Sequence, residues 1–271
     1  MNSDYMFKIG FSHKECQDYA IINSNKLAIS DGCSGAPMTD IGSRLISISS
    51  INNLNSLSSK EEAKEYLNVV GLEMINNANS LKLPLDCLCA TLLNVIKTEN
   101  GYKVLVVGDG VVVAKSDTNI IIYDYVFDVG PEKKGIPYYL IYNFNESIKD
   151  QYFNNYSSYV KKNFHVLNND GIVIESGSES IDFNRDNFFF LEDISEEYHT
   201  VSVYTDGIKS FVHKDNIPID FVKLAYDFNN FKSYNGKFVS RRVNKQLNLL
   251  LKDGLNHFDD FTMASLSKKD F

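Results

Sequence analysis

Apolar and polar positions along this chain divide it into stretches of period two and stretches of helical period. "YAIINSNKLAIS" (19–30) places two apolar runs around an Asn-Ser-Asn turn and predicts a strand pair. From about Thr39 to Leu57, Ile41, Leu45, Ile48 and Ile51 recur at helical spacing. Ser59 and Glu62 then form a capping-box signature, opening a helix that carries Ala63, Leu67, Val70 and Met74. "DCLCATLLNVIKTENGYKVLVVGDGVVVAKSDTNIIIY" (86–123) predicts a meander of strand, Asn-Gly turn, strand, Asp-Gly turn and strand. Cys87 and Cys89 fall on one face of its first strand, a spacing that suits core packing.

Lys115 to Thr200 is rich in Tyr, Phe and Asn, and its periodicity is poor. It contains one further hairpin, "FHVLNNDGIVIES", and is expected to form peripheral loops and edge strands, a flap-like region beside a site. "HTVSVYTDG" predicts a strand, "PIDFVKLAYDF" and "KFVSRRVNKQLNLLLKDG" two helices, and "DDFTMASLSK" a closing strand. Nothing resembling a repeat or a Pro/Gly/Ser linker interrupts the order, so 1–271 is expected to be a single domain. Helices in sequential pairs between groups of antiparallel strands give an α+β fold, with packed sheets inside and helices outside.

Composition narrows the function classes. A chain of 271 residues with 44% hydrophobic content can bury a substantial core. A formal net charge of −8 and only four arginines (Arg44, Arg185, Arg241, Arg242) argue against a nucleic-acid partner. No apolar run approaches a bilayer-spanning length, and "MNSDYMFKIG" lacks the basic and apolar regions of a signal peptide. None of the four cysteines lies in a C-x-x-C pair, which disfavours a zinc site or a disulfide framework. A reducing, cytoplasmic setting without membrane attachment is the expectation. Oligomeric state leaves no mark on the pattern.

The candidate chemistry lies in acidic residues at strand ends. Asp31 follows "LAIS", Asp109 follows "VLVVG", Asp206 follows "VSVYT", Asp259-Asp260 precedes "FTMASL", and Asp18 starts a strand. Carboxylates converging at strand ends would suit hard divalent cations. Each also has a structural reading. Hairpin chemistry suffices for Asp109-Gly110 and Asp170-Gly171, and a helix C-cap for Asp253-Gly254. Asp31 and Asp206 precede helix-like sequence, where the hairpin reading fails but a helix cap remains open. No two of the five histidines have metal-pair spacing, and the nucleophile elbow, the Walker loop and the dinucleotide fingerprint are missing.

"GFSHKECQDYA", "AISDGCSGAPMTDIGSRL", "DCLCATLLNVI", "VLVVGDGVVV", "VYTDGIKSF" and "DDFTMASL", in that order, resemble the metal-dependent protein phosphatases, the type-2C or PPM Ser/Thr family. The bacterial branch with an S-H…C-Q-D motif is the most similar. The resemblance implies an α-β-β-α sandwich of two antiparallel sheets flanked by helix pairs. It further implies a hydrolase, a phosphoprotein phosphatase with two Mn²⁺ or Mg²⁺ ions and a bridging water as nucleophile.

Carried over residue by residue, Asp31 would bridge both ions and the Gly32 carbonyl would bind one. Asp206 and Asp259 would hold the other, and Asp18 would act through metal-bound water. Asp109 matches a position linked to a third, weaker ion. His13 replaces a substrate-phosphate Arg of eukaryotic relatives and could contact phosphate or serve as general acid. Arg44 could also reach phosphate. Cys33 replaces a proton-donating His, and Ser210 an acidic residue of the third-ion site. Those departures make a phosphopeptide-binding pseudophosphatase the competing reading; a small phosphomonoester is an alternative substrate.

Overall fold

The strand "GVVVAK" is buried from Gly110 to Ala114, which requires cover on both faces. Val112 and Ala114 enter one apolar core and Val111 and Val113 another, as alternation along a strand dictates. The computed structural model describes residues 1–127, 135–155 and 160–269 and shows what lies on each side. In chain order the strands are β1 (Asn2–Lys8), β2 (Asp18–Asn23), β3 (Lys26–Asp31), β4 (Leu92–Thr98), β5 (Gly101–Val107), β6 (Gly110–Lys115) and β7 (Asn119–Phe127). They continue as β8 (Val160–Asn168), β9 (Val173–Ser180), β10 (Phe190–Ser195), β11 (Thr200–Tyr204), β12 (Phe211–Val212), β13 (Asn256–His257) and β14 (Phe261–Ser267). The helices are α1 (Thr39–Asn53), α2 (Lys60–Ser80), α3 (Glu146–Asn155), α4 (Phe221–Phe228) and α5 (Phe238–Lys252).

A seven-stranded sheet runs β1-β14-β11-β6-β7-β8-β9 and a five-stranded sheet β10-β5-β4-β3-β2. Every pairing within them is antiparallel. The sheets face each other where β14 packs on β2 and β3, sharing Ala28, Val104, Val112, Val203 and Ala264 in one core. Outside the five-stranded sheet, α1 and α2 contribute Ile46, Ile51, Leu67, Val70 and Met74. On the other side, α4 and α5 bury Val222, Ala225, Phe228, Val239 and Val243 against Val111, Val113, Ile120, Ile122 and Met263. The expected α-β-β-α sandwich is therefore present. Among the described residues no helix is long and apolar enough to cross a membrane.

The structure departs from the expected local pattern in several places. Asp109-Gly110 is no hairpin. β5 belongs to the five-stranded sheet and β6 to the seven-stranded one, so "GDG" carries the chain from one sheet to the other. Gly108 (φ +89°) and Gly110 (φ +143°) adopt conformations that L side chains rarely take. At Gly110 a Cβ would also come within 2.8 Å of Leu93 and 2.9 Å of the Tyr204 carbonyl oxygen.

Cys87 and Cys89 do not share a strand face: Leu85–Leu88 forms a 3₁₀ turn, with Cys89 ending it. Ser59 does cap α2, accepting from the Glu62 amide at 3.2 Å, but Glu62 reaches back to the Ser58 amide instead of Ser59. Within 115–200, β7 and β8 pair along their full length and β9 forms the sheet edge, with seven of its eight residues exposed. Positions 128–134 and 156–159 of that region lie outside the described residues. The Asp170-Gly171 hairpin is found between β8 and β9, and Gly254 follows α5 at φ +77°.

Candidate metal centre

Strand pairing brings the acidic positions to one end of the sandwich. In the β2–β3 pair, Asp18 stands directly opposite Asp31. In the other sheet β11 lies between β6 and β14, with Tyr204 opposite both Val111 and Met263. Asp206 beyond β11, Asp109 before β6 and Asp259-Asp260 before β14 therefore gather at the same sheet end. The Asp31 carboxyl faces both Asp18 and Asp206.

Asp260 organises the loop between β1 and β2. It is 2% exposed; Oδ1 accepts from the Gly10 amide at 2.7 Å and Oδ2 from the Gln17 amide at 2.5 Å. Its Oδ2 also sits 3.0 Å from His13 Nδ1, while His13 Nε2 is 3.5 Å from Asp259 Oδ1. Gly10 packs so tightly that a Cβ there would lie 2.3 Å from the Asp259 carbonyl carbon. Gln17 donates through Nε2 to Thr39 Oγ1 at 3.0 Å and accepts from Ser34 Oγ at 2.9 Å, which fixes its carboxamide. Thr205 Oγ1 donates to Asp18 Oδ2 at 2.8 Å.

The electrostatics are those of crowded carboxylates. Burial, then repulsion from Asp18, Asp206 and Asp259, pushes the Asp31 pKa well above the ordinary range. Burial also raises Asp18, Asp109 and Asp259, the last two with Asp206 as the largest neighbouring charge. At His13 burial disfavours the imidazolium, but the close contact with Asp260 and the charges of Asp260, Asp259 and Asp18 outweigh it. The pKa is therefore raised.

Among the described residues, Asp18 Oδ1 and Asp206 Oδ1 are buried oxygens with no hydrogen-bond partner, a state that costs free energy unless a cation or proton satisfies them. All-oxygen donors of like charge, with buried lone pairs to spare, fit Mg²⁺ or Mn²⁺. Among the described residues no three such side chains close on a common point at ligand distances.

Of the residues singled out in the sequence, Asp18, Asp31, Asp109, Asp206, Asp259 and His13 meet in this cluster. Gly32, beside Asp31, is buried in an isolated bridge with Ala90. Arg44 is exposed on α1, with its guanidinium 5.9 Å from the Tyr19 ring centroid. Asp260 as a loop organiser, Thr205 as a donor to Asp18, and Lys209, whose Nζ lies 2.5 Å from Asp124 on β7, emerge only in the folded structure. The Asp259-Asp260 doublet was a visible signal for the first. Nothing local marks the pairing of Lys209 with Asp124.

Residues 12–123 match the family model described as protein phosphatase 2C. The whole chain superposes on solved protein phosphatases. A bacterial serine phosphatase aligns with TM-score 0.54 at 11% identity, over 100% of this chain and 99% of that one. Stp1 from Staphylococcus aureus gives 0.53 at 13% identity, over 99% and 96%. PstP/Ppp from Mycobacterium tuberculosis gives 0.51 at 9%, over 99% and 100%. The segment 12–123 resembles the protein phosphatase 2C family, and the whole chain shares the fold of these phosphatases. No protein of curated function matches its sequence. At these identities the superpositions establish the protein phosphatase 2C fold; the chemistry rests on the carboxylate cluster itself.

Proposed function

We propose that this protein is a Mg²⁺- or Mn²⁺-dependent phosphomonoesterase acting on phosphoserine or phosphothreonine in proteins. The observation that carries the reading is Asp31, held among Asp18, Asp206 and Asp259 with two buried carboxylate oxygens unsatisfied. Asp31 would bridge two ions, the Gly32 carbonyl and Asp18 would serve one side, and Asp206 and Asp259 the other. When bound, such ions polarise a phosphoryl group and make water nucleophilic at neutral pH.

The chain's own groups supply orientation and proton handling. Gln17, locked between Thr39 and Ser34, presents a fixed carboxamide at the cluster. The raised His13 pKa favours the protonated ring, which attracts a phosphate dianion and can pass a proton from Nε2 to the leaving oxygen. Cys33 is not suited to that task. Its thiol lies beside Tyr139, whose own pKa is driven far up, first by burial. Ser210 builds the site instead of binding there: its hydroxyl donates to the Gly207 carbonyl at 2.8 Å and accepts from the Asp259 amide at 3.2 Å.

The decisive assay is hydrolysis of p-nitrophenyl phosphate and a phosphothreonine peptide, with Mn²⁺ and with chelator. Wild type should turn over only with metal, and Asp206→Asn should not turn over at all. Peptide binding without turnover by wild type would establish the pseudophosphatase reading. Turnover of p-nitrophenyl phosphate alone would point to a small phosphomonoester.

A further inference from the structure

Lys209 is a cation built into the acidic end of the sheet. It sits on the 3₁₀ turn Asp206–Ser210, three residues beyond Asp206. Its ammonium is 2.5 Å from Asp124 Oδ1, and Asp124 is 4% exposed. Asp124 stands opposite Val111, one residue past the Asp109-Gly110 crossing, so Asp109 and Asp124 flank the same corner. The Lys209 ammonium lies 5.9 Å from the Phe221 ring centroid, at the start of α4. Among the described residues the second Asp124 oxygen has only a 3.4 Å contact from Asn163 Nδ2. Burial alone would favour a neutral amine, yet Asp124, Asp109 and Asp206 together raise the Lys209 pKa. That shift agrees with the geometry.

We propose that Lys209 is a tethered cation serving the Asp109–Asp124 corner of the cluster, confining divalent ions to the Asp18, Asp31, Asp206 and Asp259 side. The proposal rests on the reading of those four carboxylates as ion ligands. Lys209 is a positioning residue in this scheme: it touches Asp124 and sets the charge around Asp109 and Asp206. A diffusible ion at that corner would have to displace an ammonium that carries its own stem.

The test is Mn²⁺ binding, read from the electron paramagnetic resonance signal of free aqueous Mn²⁺, with thermal melting in chelator and in millimolar Mn²⁺. Wild type, Lys209→Met, Lys209→Gln, Lys209→Arg and Lys209→Met/Asp124→Asn are compared. Wild type and Lys209→Arg should bind the same number of ions. Lys209→Met and Lys209→Gln should each bind one more, at weaker affinity. In chelator both should melt roughly 5 °C lower, and Mn²⁺ should restore them beyond its effect on wild type. Adding Asp124→Asn should abolish the extra ion.

A merely structural ion pair gives a different pattern. The melting deficit would be cured by Asp124→Asn and untouched by Mn²⁺, with ion number unchanged, and that outcome overturns the proposal. Should Lys209→Met fail to fold, Lys209→Gln carries the same comparison. Wild type binding no ion would sink the phosphatase reading. The difference between wild type and Lys209→Gln would still report on the lysine.

Discussion

Asp31→Asn should make the metal-free protein more stable while removing its function. The substitution keeps shape and hydrogen-bonding capacity and deletes one charge from a group facing Asp18, Asp206 and Asp259. One like charge at about 6 Å, in an effective dielectric of about 20, opposes ionisation by roughly 3 kcal/mol. Protonating the carboxyl instead, from its ordinary range at pH 7.5, costs about 5 kcal/mol, which caps the relief. A gain of about 3–5 kcal/mol in a domain of this size raises the melting temperature by roughly 10 °C. The assay is thermal melting in chelator and in Mn²⁺, beside hydrolysis of a phosphothreonine peptide. Wild type should melt low in chelator and rise sharply with Mn²⁺, by mass action on the folded state. Asp31→Asn should start high, respond little to Mn²⁺ and release no phosphate. A variant that melts lower than wild type in chelator, or keeps its Mn²⁺ response, would refute the idea that Asp31 is the strained centre of the cluster.

Three further outcomes follow from the geometry. Asp260→Ala leaves the buried Gly10 amide and the half-buried Gln17 amide without their acceptor and should cost about 3 kcal/mol; hydrogen exchange should quicken at those two amides, and a variant with wild-type protection there contradicts the role given to Asp260. Gly110→Ala forces a side chain into φ +143° against Leu93 and the Tyr204 carbonyl, so a loss of roughly 3 kcal/mol or more in urea melts is expected. His199 is buried, and burial with the charges of Lys269 and Lys115 lowers its pKa to about 4. A lowered imidazole pKa means its contribution is complete above the ordinary value near 6.5 and is lost as pH falls through that value toward 4. By pH 5 the loss should be about 2 kcal/mol, and His199→Gln should flatten that part of the pH dependence. Equal pH slopes for the two proteins would contradict it.

Much of this arrangement could be read along the chain because its signals are local. The β2–β3 pair, the spacing of α1 and the Ser59 cap need only nearby residues, and the order of strands and helix pairs then limits the sandwich. The crossing at Asp109-Gly110 was not legible, because a sheet-to-sheet step and a hairpin share the same Gly-flanked turn chemistry. Only the partners of β5 and β6 distinguish them. "CLC" is too short for its period to separate a strand from the 3₁₀ turn it forms after Pro84. β9 exposes both faces at the sheet edge, so no burial imprints an alternation on it.

Within the candidate site, strand-end carboxylates were visible because sequence places them at "SDG", "GDG" and "TDG". The pairing of Lys209 with Asp124 was invisible, since it joins a turn after β11 to the middle of β7 through tertiary structure alone.

The most direct test of the central claim is hydrolysis of a phosphothreonine peptide in ¹⁸O-labelled water, with Mn²⁺ and with chelator. The account predicts Mn²⁺-dependent release of phosphate carrying one solvent oxygen, and none in chelator. Peptide bound without phosphate release in Mn²⁺, or release that chelator leaves unchanged, would contradict it.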